Sequence, residues 1–151
     1  MFQPLFAVCS LFTPLESLAL IASLQLGDND NKLYPKEYLV NLVKCHVVRP
    51  HNLFYADSKP RCERLELTVI APGKEDLTLV EWYISQEPLS GRVVVSLSNE
   101  AKLGVGDSKE IYFEDGVCFQ LAENYDIDAG RRTMTLSIAT ETLTIDHVTF
   151  K

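Results

Sequence analysis

Cys45, His46, His51 and Cys62 put four metal-ligating side chains in one short stretch, so zinc is the first chemistry to weigh. A structural zinc site needs tight ligand pairs at both ends of a loop. Here the order is C-H-x4-H-x10-C, and on a strand Cys45 and His46 would face opposite sides. A cysteine nucleophile activated by histidine is the next candidate, but no local signature surrounds any of the cysteines. Unpaired cysteines usually serve as small buried hydrophobes. Glu114-Asp115 and the Glu123, Asp126, Asp128 group invite a carboxylate-pair or calcium reading. The D-x-D-x-G of residues 126–130 lacks the closing bidentate glutamate of a calcium loop, which leaves a solvated turn. GVGDSK, residues 104–109, lacks the phosphate-loop spacing and its following helix. Arg131-Arg132 is a lone basic pair in an acidic chain and suits an ion-pair partner better than a nucleic-acid patch. The expectation is no catalytic residue, no metal site and no cofactor, hence not an enzyme.

The elements that would position these residues are mostly strands. The chain has 151 residues, 46% of them hydrophobic and 23% charged, enough for one globular domain over 1–151 with a real core. A net charge of -7 argues against a phosphate-binding surface, so no nucleic-acid partner is expected. Residues 1–17 read as an irregular arm. Pro4, Pro14 and Glu16 interrupt its apolar residues, so no membrane insertion is expected, and no basic region marks a signal peptide. The four cysteines contain no CxxC pair and read as reduced, buried, cytosolic thiols.

Leu18, Leu20, Ala22, Leu24 and Leu26 share one parity, which suits a strand ending at GDNDN; a helix over 15–26 is the competing reading. EYLVNLVKCHVV (37–48) and LELTVIA (65–71) read as strands on either side of a polar loop held between Pro50 and Pro60. Leu77, Val80 and Ile84 fall at i, i+3 and i+7, widened by Leu79, Trp82 and Tyr83, and predict one short helix at about 75–86. A helix this short is marginal alone, and Trp82 is its obvious anchor. From Arg92 to Ser98 the period drops to two. KEIYFEDGVCFQLAENYD holds two alternating runs around an aspartate–glycine hairpin or bulge signal, and AENYDIDAGRR reads as a long polar turn. TMTLSIA alternates through Met134, Leu136 and Ile138, and TETLTIDHVTF reads as a last strand with a parity slip between Ile145 and Val148. The sum is a mainly β protein: a small β-barrel, or two packed antiparallel sheets, with one short flanking α-helix.

From about Lys44 to Ile145 the order of these pieces resembles the Bacteroidetes branch of the Hcp (TssD) family, the tube protein of type VI secretion systems. The residues that carry the resemblance are Val80-Glu81-Trp82, Ser90-Gly91, Phe113-Glu114-Asp115 with Cys118, and Glu123-Asn124-Tyr125-Asp126. The chain departs from the family in its apolar arm before Leu18 and in its closing IDHVTFK. The resemblance implies a structural protein that self-associates into six-membered rings and stacked tubes, meets sheath, spike and effector proteins, and can carry effectors in the lumen. It implies a cytoplasmic protein exported through the apparatus without a signal peptide. The loop His51, Asn52, Leu53, Phe54, Tyr55, Ala56 and Asp57 resembles the extended loop that packs on a neighbouring subunit, and apolar residues at a loop tip make good interface anchors. An adaptor of the same fold that binds cargo without polymerising is the alternative. A small ligand-binding barrel or enzyme is a more distant one.

Overall fold

The computed structural model describes residues 20–49, 60–97 and 108–151. Within them lie eight strands: β1 (Leu20–Asp28), β2 (Leu33–Val48), β3 (Arg61–Ile70), β4 (Leu89–Leu97), β5 (Lys109–Asp126), β6 (Arg131–Ala139), β7 (Thr142–Ile145) and β8 (Val148–Phe150). One helix, α1 (Thr78–Ser85), precedes β4. Every pairing is antiparallel, in the order β4-β1-β2-β3-β6-β5-β7-β8, and a further β4–β5 ladder closes the sheet. The wall therefore runs β1-β2-β3-β6-β5-β4 and back to β1, and leaves none of those six strands as a free edge along its closed part.

Alternation explains the simpler strands. Leu24 and Leu26 on β1, Leu65, Leu67 and Val69 on β3, Val93 on β4, and Met134, Leu136 and Ile138 on β6 all point inward and are buried. The longer strands need bulges to keep an apolar face inside, because one extra residue reverses the parity of everything after it. On β2 the inward residues are Tyr38 and Val40, then Val43 and Cys45, and the ladder slips between Val40 and Leu42. On β5 they are Ile111 and Phe113, then Gly116 and Cys118, then Leu121.

The structure settles one open sequence reading and changes two others. Of the hairpin and bulge readings of the aspartate–glycine pair it has the bulge, inside one 18-residue strand with Asp115 at φ 51. AENYD belongs to β5, which pairs with β6 as far as Asp126↔Arg131, so the turn is only 127–130. The closing stretch is a β7–β8 hairpin: Asp146 and His147 both take positive φ, 44 and 78, and the chain reverses where the parity slips.

Helix α1 buries a different stripe from the one its spacing suggests. Leu79 and Trp82 face the barrel, whereas Leu77 and Ile84 are 54% and 72% exposed. The helix starts after Asp76, whose Oδ1 accepts a 3.1 Å bond from the Thr78 amide and whose Oδ2 accepts a 2.9 Å bond from the Tyr38 hydroxyl. Asp76 thus does the work of a cap from one residue outside. Gln86, at φ 58, ends the helix by donating its amide to the Trp82 carbonyl.

Candidate functional site

Three of the four motif pieces meet at the β5 bulge. The Trp82 ring lies nearly parallel to Phe113, with centroids 6.2 Å apart and planes at 12°. Its Nε1–H donates to the Gly116 carbonyl at 3.0 Å. Glu114 accepts from Asn29 Nδ2 at 2.9 Å and from the Ser90 hydroxyl at 3.0 Å, and Ser90 Oγ accepts the Asp115 amide at 3.0 Å. Asn29 also binds the Phe113 carbonyl and receives the Tyr34 hydroxyl. One bulge therefore ties α1, the start of β4 and the β1–β2 turn to β5.

Two glycines make the junction possible. A Cβ on Gly91 would sit 2.3 Å from the Gln25 carbonyl oxygen, which lies on a fixed neighbouring strand. A Cβ on Gly116 would lie 2.9 Å from both Ile138 Cγ2 and Phe113 Cδ2. The fourth piece, Glu123 to Asp126, stands apart on the β5–β6 ribbon. There Asn124 Nδ2 donates to Thr133 and Thr135, and Tyr125 donates to Glu123 at 2.6 Å.

The outer wall carries a polar row that crosses six strands. Register aligns Glu37, Gln25, Arg92, Tyr112, Thr144 and Thr149 across β2, β1, β4, β5, β7 and β8. Gln25 donates to Glu37, Arg92 Nε donates to Gln25 at 2.6 Å, and Arg92 Nη1 reaches Glu110 and the Tyr112 hydroxyl at 3.3 Å. Tyr112 donates to Glu110, and Lys32 donates to Tyr112 at 2.9 Å. Arg92 also lies over the Tyr34 ring, 4.6 Å from its centroid. Burial lowers the Arg92 pKa, but the bond to Tyr112 and its aromatic and acidic neighbours outweigh that and leave it raised. These side chains satisfy one another and form a stiff, charged stripe. Beside it lies an apolar group, Ile21, Leu39 and Leu42, exposed by 47%, 60% and 45%. Sequence reading did not find this stripe, because its members are brought together only by register between distant strands.

The other candidates lie as follows. Residues 51–57, the loop expected at a subunit contact, fall outside the described residues, as does the arm at 1–17. Trp82 is 2% exposed. No group of three or more His, Cys, Asp or Glu side chains placed to hold a metal occurs among the described residues. Cys118 is a free thiol, raised to about 11 by burial. Asp126 closes the β5–β6 turn by accepting the Ala129 amide. Both carboxylate oxygens of Glu114 accept bonds within the junction.

The sequence model of the hemolysin coregulated protein family, Hcp (TssD), matches residues 19–151. The chain belongs to the Hcp (TssD) family. That is the family of type VI secretion tube proteins, whose members are structural. No curated protein matches the sequence significantly. Among solved structures, Hcp1 from Flavobacterium johnsoniae superposes with a TM-score of 0.63 at 18% identity, covering 87% of this chain and 98% of that one. Hcp1 from Salmonella typhimurium gives 0.60 at 12% identity, covering 86% of each chain. The secreted protein Hcp3 from Pseudomonas aeruginosa gives 0.57 at 12%, covering 85% and 91%. At such identities the likeness is one of fold, and the Flavobacterium match accords with the Bacteroidetes-type resemblance. Among the described residues no helix is long and apolar enough to cross a membrane.

Proposed function

We propose that this Hcp chain is a structural subunit that assembles into six-membered rings and stacks them into the inner tube of a type VI secretion apparatus. It assembles in the cytoplasm, engages sheath and spike proteins, leaves through the apparatus and carries effectors in its lumen. Family membership over nearly the whole chain supports the reading. The observation that carries it is the outer wall: Ile21, Leu39 and Leu42 are exposed together beside a polar stripe already satisfied within the subunit. An apolar group of this kind on a closed barrel favours association with a second copy, and head-to-tail contacts close into rings. The loop His51 to Asp57 reaches the neighbouring subunit, and Trp82 fixes α1 to the wall so that the outer surface is rigid.

Size-exclusion chromatography with light scattering tests the assembly. Rings of six with an open centre in negative stain are the expected result, and deletion of residues 51–58 is expected to weaken closure or stacking. A strict monomer at high concentration would refute the tube reading. A monomer that nonetheless bound an effector would assign the chain as a non-polymerising adaptor.

A further inference from the structure

The last turns of α1 leave a groove that the assembly reading does not use. Thr78, Glu81, Trp82 and Ser85 lie three or four residues apart and share one face of the helix. Gln86, at φ 58, turns the chain out of the helix, and Glu87 and Leu89 form the other side. The space between the two sides is about 390 Å³. That lies within the range of ligand clefts, about 300–1,000 Å³.

The chemistry of this groove is one-sided. Trp82 and Leu89 pack into the barrel core and give it a firm apolar wall, and Ile84 stands 72% exposed at its edge. Among the described residues that line it, only Glu81 and Glu87 carry charge. Neither carboxylate makes a hydrogen bond or an ion pair among the described residues. The last turn of α1 holds no basic residue, so nothing on the helix offsets the negative end of its dipole. An apolar wall, two unpaired carboxylates and a helix C-terminus together call for an apolar side chain accompanied by cations. A second copy is a poor source of them, because the chain carries a net charge of -7.

We propose that the α1 groove docks a short basic and apolar segment of another protein. One large apolar side chain of that segment lies against Trp82, Ile84 and Leu89, and a lysine or arginine on either side of it faces Glu81 and Glu87. The apolar contact supplies affinity, and the carboxylates select the partner, since an acidic segment meets like charge in the same place. The groove is built within one subunit, and none of this depends on ring formation.

Trp82 is the chain's single tryptophan and lines the groove, so its emission reports occupancy. The full-length protein is titrated with acetyl-Lys-Leu-Phe-Lys-amide, and with acetyl-Glu-Leu-Phe-Glu-amide as the charge-reversed control. The lysine peptide should give a saturable change in emission with a Kd below about 1 mM, and the glutamate peptide none. Glu81→Gln combined with Glu87→Gln alters two exposed side chains and should weaken binding by on the order of 3–30-fold. Ile84→Ser should also weaken it, through the apolar contact. No saturable change in that range, equal binding of the two peptides, or unchanged binding in the glutamine variant would overturn the proposal. Circular dichroism checks that the variants fold, and the contrast between the two peptides on the unaltered protein stands without them.

Discussion

Replacing Trp82 tests whether one aromatic ring holds α1 on the barrel. Trp82 is 2% exposed, stacks on Phe113 and donates its indole N–H to the Gly116 carbonyl. Truncating a buried tryptophan to alanine costs about 3–5 kcal/mol. A groove of about 390 Å³, lined by Thr78, Glu81, Ile84 and Leu89 among others, already runs beside the ring. In Trp82→Ala, water entering from that groove can reach the Gly116 carbonyl, so its orphaning adds little. Trp82→Phe keeps most of the apolar contact and seals the carbonyl from water, so its cost is that of one unmade bond, about 1–3 kcal/mol. The expected losses are therefore about 4 kcal/mol for alanine and about 1–3 kcal/mol for phenylalanine. For a chain of this size the alanine value corresponds to roughly 8–16 °C in Tm. Urea unfolding should be followed by far-UV circular dichroism, because the chain has a single tryptophan and both variants lose it. Trp82→Ala costing under about 1 kcal/mol would refute the packing argument, as would Trp82→Phe costing as much as alanine.

Gly91→Ala places a Cβ 2.3 Å from the Gln25 carbonyl oxygen and must spread β1 from β4, so a loss above about 3 kcal/mol is expected by urea denaturation. Burial raises the Tyr38 phenol to about 12 from an ordinary 10.0, so the unfolded chain ionises first. That contribution is whole below about pH 10 and lost as pH rises toward about 12, and Tyr38→Phe should flatten the fall in Tm across that window. Leu39→Asp combined with Leu42→Asp alters two exposed side chains, so monomer stability should move by under about 0.5 kcal/mol each while light scattering reports loss of rings. Unchanged rings would remove this face from the interface.

Much of the fold was legible in sequence because a half-buried strand must alternate. β1, β3 and β6 keep one inward parity through most of their length, and Leu24, Leu67 and Leu136 could be placed directly. β2 and β5 were harder, since their bulges reverse parity within the strand and make one long strand look like two. The helix was visible as a change of period, but which side it buries was not. Leu77 and Ile84 fit an apolar stripe, yet Leu79 and Trp82 are the buried pair, and Phe113 and Gly116 meet the Trp82 side chain.

By itself the sequence determined a mainly β chain, one short helix, and the order of motifs that marks the Hcp family. Those features are local: parity, helical spacing and turn residues act within a few positions. Only the tertiary structure decided that Ser90, Glu114 and Trp82 converge on one bulge, and that Arg92 joins a row from Glu37 to Thr149. Each of these meetings depends on the register between strands, and a shift of one residue would send the same side chains to opposite faces.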